Sequence, residues 1–91
     1  MIHVYHYNDS KSDKIWGFAD AEDCKISFWG RARGSLSFKR YETSWDGDVF
    51  IDAEKKQRKG YCSVDDDQHA KVLPTDFLGQ LMLAKLGMAK F

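Results

Sequence analysis

"CKISFWGRARG", residues 24–34, alternates with a period of two. Successive side chains of a strand point to opposite faces. Cys24, Ile26 and Phe28 therefore share one face, while Lys25, Ser27, Trp29 and Arg31 share the other. The apolar set belongs against a core. The largest side chain of the segment then stands on the polar face beside an arginine, and any functional reading has to explain that tryptophan.

The same period runs outward in both directions. "MIHVYHY" (1–7) sets Ile2, Val4 and His6 against His3, Tyr5 and Tyr7, a strand pattern rich in β-branched and aromatic residues. "NDSKSDK" is a polar turn cluster. "KIWGFAD" (14–20) places Trp16 and Phe18 on one side and Ile15 and Ala19 on the other, and "AEDC" connects it tightly to the next strand. "SLSFKRY" (35–41) sends Leu36 and Phe38 inward and Ser37, Lys39 and Tyr41 outward. Strands in sequence joined by short polar turns predict an antiparallel meander. "YCSV" (61–64) is a candidate for one more short strand.

After "ETSWDG" the period changes. "DVFIDAEKKQRKGY" (48–61) carries Phe50, Ala53 and Gln57 along one stripe, Asp48 as N-cap, cations in the last turn and Gly60 as the residue after the helix end. "DDDQH" (65–69) reads as a loop. In the last segment Pro74 and Asp76 open a helix predicted over 74–87, with Gly87 as its stop. Phe77, Leu78, Leu81, Met82 and Leu86 recur at helical spacing, and Leu83 and Ala84 widen the apolar arc. That arc either covers a sheet face or meets another subunit. In the second case Phe77, Leu78, Leu81 and Met82 form the partner interface. The expected fold class is α+β: an antiparallel sheet of about four or five strands, one helix packed on it and an additional C-terminal helix. The 91 residues make a single domain, 1–91, with one modest core.

The first residues show neither a basic region nor a continuous apolar run, so neither a signal peptide nor a membrane span is expected. Cys24 and Cys62 are too few for a disulfide framework and lack C-x-x-C spacing, which predicts free thiols in the reducing cytoplasm. No nucleophile–base pair, glycine-rich phosphate loop or spaced carboxylate pair stands out, and no enzymatic role or cofactor is expected. No metal site is expected either. His3 and His6 point to opposite faces of a strand, and Asp65–Asp67 lack the spacing of a calcium loop.

Net charge is formally zero, which argues against a protein that coats nucleic acid. The distribution is uneven. Residues 25–60 hold nine basic and five acidic residues, and the remainder holds five basic and nine acidic ones. A basic island in an acidic frame favours a polyanion locally.

"YHYNDSKSDKIWGFADAEDCKISFWGRARGSLSFKRY" resembles the WGR domain, a family named for its Trp-Gly-Arg core and found in DNA-dependent poly(ADP-ribose) polymerases and in small bacterial modules. Three matches carry the resemblance in order: Ser12-Asp13-Lys14-Ile15-Trp16 after an aromatic strand, Trp29-Gly30-Arg31 at a strand end, and Lys59-Gly60-Tyr61 after a helix. They span residues 5–61. The turn after the motif departs from the family, since "ARGSLSFKR" keeps one glycine, shifted by a position, and lacks the family's glutamine. The resemblance implies a sheet with a helix packed on one face, and DNA as partner. It further implies that Trp29 stacks on a sugar near a strand end, that Arg31 contacts the backbone or a neighbouring domain, and that Gly30 is the permissive backbone position between them.

The residues themselves point partly the same way. A planar ring on a polar face can stack on a sugar or base, and an adjacent guanidinium can fork onto phosphate oxygens. Lys25, Arg33 and Lys39 would extend such a patch through counterion release. Other readings stay open. Trp29 could pack across strands against Tyr41 or beneath the terminal helix, a bulge at Gly30 could flip the alternation, Arg31 could pair with Asp46 or Asp48, and "KKQRK" could be a solvated helix end balancing the dipole.

Overall fold

The computed structural model describes residues 2–20, 24–41 and 47–86. Five strands, β1 (Ile2–Asn8), β2 (Asp13–Asp20), β3 (Lys25–Arg31), β4 (Leu36–Tyr41) and β5 (Cys62–Val64), form one antiparallel sheet in the order β4-β3-β2-β1-β5. Two α-helices, α1 (Gly47–Arg58) and α2 (Phe77–Lys85), flank it, and a 3-10 helix spans Asp66–Lys71. The α+β meander expected from the alternation is the fold that forms. The segment expected as a loop at 65–69 is mostly 3-10 helix, and α2 lies inside the span expected for it. Gly87 lies outside the described residues.

One face of the sheet is organised by a missing side chain. Val4, Gly17, Phe28 and Phe38 are neighbours across β1, β2, β3 and β4. A Cβ on Gly17 would lie 2.5 Å from Phe28 Cζ and would collide with the His3 carbonyl oxygen, so the Phe28 ring occupies the space that the glycine leaves. Phe28 is fully buried, tilted against Phe38 with ring centroids 6.2 Å apart and edge-on to Phe77 at 4.8 Å. Ile15, Cys24, Ile26, Val72 and Ala84 complete this core, and α2 covers it. Arg40 donates to the Lys85 carbonyl at 2.6 Å, satisfying an acceptor that a helix C-terminus otherwise leaves without a partner.

The other face holds Trp16 and Phe18 from β2, packed with Tyr5, Tyr7, Tyr61 and Ala53. Here α1 lies over β1 and β2, and Phe50 meets Phe18 edge-on at 5.8 Å. Residues Ile15 to Ala19 are consequently buried on both faces. Of the stripe expected on α1, Ala53 is buried, Phe50 is half-exposed and Gln57 is exposed. Because α1 starts at Gly47, the expected N-cap Asp48 is itself a helical residue. The helix end is as expected. Gly60 has φ +102°, its N–H donates to the Gln57 carbonyl, and the Tyr61 N–H donates to the Lys56 carbonyl. This pair of bonds is the Schellman arrangement, which a residue without Cβ accommodates best.

The terminal helix resolves the two readings of its apolar arc in favour of packing within the domain. It also corrects the expected partner interface. Phe77 is buried against Phe28 and Leu81 packs on the same core, because the helix needs both to cover the sheet. Leu78 and Met82 face outward, 70% and 59% exposed. Phe77→Ala is therefore expected to cost about 3–5 kcal/mol in urea unfolding, whereas Met82→Ala should stay within about 0.5 kcal/mol of the parent. Equal costs would contradict this packing.

Candidate nucleic-acid interface

Trp29 lies opposite Trp16 on β2 and Ser37 on β4, on the face that α1 partly covers. The helix roofs Trp16, which is buried, and stops short of Trp29, which is 39% exposed. The strand continues without a bulge: Gly30 pairs with both Ile15 and Leu36, so the alternation holds through Arg31. Placing Trp29 beneath the terminal helix is incorrect, since α2 covers the opposite face. The side chain of Tyr41 lies outside the described residues. Gly30 acts through its backbone. Its φ is +153°, and a Cβ there would sit 2.8 Å from the Ser35 carbonyl oxygen, so glycine lets the β3–β4 turn close tightly.

Arg31 is exposed at the end of β3, directly opposite Lys14 on β2. Among the described residues its guanidinium has no hydrogen-bond or ion-pair partner. The pairings considered with Asp46 and Asp48 fall outside the described side chains. Lys39, exposed on the same face and opposite Ser27, stands on the other side of Trp29. Three candidate side chains, Trp29, Arg31 and Lys39, thus share one open surface.

Two others do not join them. Lys25 points to the same face at its far end, where it forms an ion pair with its cross-strand neighbour Asp20, so its charge is compensated. Arg33 leaves the face altogether, which corrects its assignment to the binding patch. It sits in the β3–β4 turn with φ +64°. Its N–H donates to the Val72 carbonyl at 2.7 Å, and its guanidinium donates to the Lys71 carbonyl at 3.0 Å and to Asp13 Oδ2 at 2.5 Å. These bonds tie the rebuilt turn to the end of the 3-10 helix. His6 donates through Nε2 to the other Asp13 oxygen at 2.5 Å. The hydrogen bonds from His6 and Arg33 hold the Asp13 carboxyl below its usual range.

The sequence reading missed the basic residues that continue the surface past Arg31. Lys14 lies 5.2 Å from the centre of the Tyr7 ring. Lys56, from the last turn of α1, lies 5.3 Å from the centre of the Tyr61 ring, and the two tyrosine rings are 5.4 Å apart. Burial pushes the Lys56 ammonium below its ordinary pKa, and the nearby charges of Lys59 and Lys14 add to the effect. Alternation already put Lys14 on the side of Trp16; its position opposite Arg31 needed the strand register.

The sequence matches no family model and no curated protein. The fold is similar to that in a crystal structure of a protein from Bacteroides fragilis, with a TM-score of 0.62 and 22% identity over 81% of this chain. The chain spans 22% of that protein's length, and at this identity the likeness is one of fold. No helix among the described residues is long and apolar enough to cross a membrane.

The Asp13 clasp has a consequence for acid stability. A carboxyl whose folded pKa lies below its unfolded value contributes stability above the unfolded pKa and loses it as pH falls through the folded one. From the usual value of 3.8 downward the wild type should lose this contribution. Asp13→Asn should lower the thermal midpoint at neutral pH and show a smaller drop between about pH 5 and pH 2.5 than the wild type. Parallel pH profiles for the two proteins would contradict the clasp.

Proposed function

We propose that this chain is a non-catalytic nucleic-acid-binding module of WGR type. One observation carries the reading: Trp29 is exposed on a sheet face beside Arg31, whose charge is unpaired among the described residues. An exposed ring offers a stacking platform for a base or sugar, and the free fork of Arg31 suits phosphate oxygens. The Trp-Gly-Arg resemblance implies the same two contacts. Gly30 supports the reading as a backbone element, because the tight turn it permits keeps Trp29 and Arg31 on a regular strand. The two contacts this reading assigns, a stacked ring and a phosphate, carry little sequence information, so backbone and strand structure dominate over sequence. A cytoplasmic location with free thiols goes with this function.

Fluorescence anisotropy with nicked, blunt and single-stranded DNA, across a salt series, tests it. The wild type should bind at low salt with an affinity that falls as salt rises. Trp29→Ala should weaken binding by about fivefold to 150-fold, from the loss of ~1–3 kcal/mol of stacking. Absence of binding by the wild type at low salt would overturn the proposal.

A second reading, a protein-interaction module, is favoured by the outer side of α2. Leu78, Met82, Leu83 and Leu86 are exposed together there, and contiguous apolar surface of this kind marks contact sites. Light scattering would then show a mass that rises with concentration, and Met82→Glu would hold the protein monomeric. A wild type that stays monomeric at all concentrations removes the homodimer form of this reading.

A further inference from the structure

Three lysines from distant parts of the sequence come together around Lys56, which interacts with both Lys14 and Lys59. Lys14 comes from β2, opposite Arg31, Lys56 from the last turn of α1 and Lys59 from just after it, and the first two stand over Tyr7 and Tyr61. Among the described residues none of the three has an ion-pair partner. Asp52 offsets part of the Lys56 charge and Asp9 part of that of Lys14, yet like charges gathered this closely are unfavourable in the free protein, and they raise the affinity of a site for an anion. Helix capping accounts for cations near a C-terminus in general. Here backbone N–H groups already satisfy three of the last four carbonyls of α1: Lys59 donates to Lys55 and Lys56, Gly60 to Gln57 and Tyr61 to Lys56. The ammonium groups are therefore left for another acceptor.

The lysine cluster and the tryptophan share one face. In the sheet register Tyr7 pairs with Lys14 and Lys14 with Arg31, while the next row on this face runs Tyr5, Trp16, Trp29, Ser37. Two strand spacings and two residues separate Trp29 from Tyr7, about 12 Å at ordinary sheet dimensions. That span suits successive phosphates better than two oxygens of one phosphate. Lys39 adds positive charge beyond Trp29 in the opposite direction. A ring with cations on both sides suits a base within a strand, and a base inside a duplex has no face free to stack.

Resting on the nucleic-acid reading above, we infer that Lys14, Lys56 and Lys59 form a phosphate-binding node, and that the strand it holds is a single-stranded polynucleotide crossing the open sheet face with an internal base on Trp29. The node sets direction along the sheet, since Lys14, Lys56 and Lys59 lie with Arg31 on one side of the ring.

The test uses an eight-residue oligothymidylate without terminal phosphates and a blunt hairpin duplex, titrated by anisotropy across a salt series. The proteins are the wild type, Trp29→Ala, the triple variant Lys14→Gln/Lys56→Gln/Lys59→Gln and the corresponding triple arginine variant. Circular dichroism and urea midpoints establish that each is folded. Each phosphate contact contributes about 0.7 to the salt slope for a single strand. The triple glutamine variant should therefore lose about two units of slope, and the arginine variant should retain them. Trp29→Ala should lower affinity at every salt concentration with little change in slope. The hairpin should bind at least tenfold more weakly than the oligothymidylate. An unchanged slope in the glutamine variant, with binding still dependent on Trp29, overturns the node and leaves the general function standing. A hairpin that binds as well as the single strand overturns the single-strand assignment. Failure of the wild type to bind either probe overturns this inference together with the function beneath it.

Discussion

A helix about 10 Å across cannot roof a sheet whose five strands lie about 4.8 Å apart, and the exposure of Trp29 follows from that mismatch. The chain leaves α1 through Gly60 and Tyr61 directly into β5, which pairs with β1. This tether keeps α1 over β1 and β2 and leaves Trp29 and Arg31 of β3 and Lys39 of β4 exposed on the same face. Trp16 and Trp29 occupy the same row on adjacent strands, yet the first is buried and the second is not. Position relative to one helix edge, rather than any difference in residue type, separates a core tryptophan from an available one.

The opposite face meets the same constraint differently. Phe28 fills the space over Gly17, and Phe77 from α2 closes onto it edge-on. One short helix supplies that cover with Phe77, Ala84 and the partly buried Leu81. Its sequence is apolar nearly all round, so covering the sheet consumes one side and leaves Leu78, Met82 and Leu86 toward solvent. A helix apolar on every side is ordinarily enclosed. The molecule thus carries two incompletely covered surfaces of unlike chemistry, one aromatic and basic, one aliphatic, on opposite sides of the sheet.

Strand faces were legible because period-two alternation is local: Ile26 and Phe28 went inward and Trp29 and Arg31 outward without knowledge of any partner. The helix end at Gly60 was legible for the same reason, since its signal lies within one turn. Contacts between distant segments were not. The aliphatic arc of α2 could not say which of its leucines would meet Phe28, so Phe77 and Leu81 were grouped with residues that face out. Arg33 looked like a phosphate ligand by its place in a basic run, but the positive φ of the turn turns it toward Asp13 and the Lys71 carbonyl. Lys14 and Lys56 are more than forty residues apart in the chain and become neighbours only through the packing of α1 on β2.

Zero net charge acquires meaning once the charges have places. Acids lie where they neutralise particular cations or build turns: Asp20 with Lys25, Asp13 with Arg33, and Asp9 accepting the Lys11 and Ser12 N–H groups at 2.8 and 2.7 Å. Asp65, Asp66 and Asp67 are exposed at the entry to the 3-10 helix, beyond β5. Arg31, Lys14, Lys56 and Lys59 remain together at the open end of the other face. A polyanion approaching such a molecule is repelled by the acidic border and drawn to the basic end, so the field orients it without strengthening contact elsewhere. A uniformly basic domain of this size would bind through any surface. Under the proposed function, the separation of charge would confine attachment to the strip where Trp29 can add a contact that charge alone does not provide.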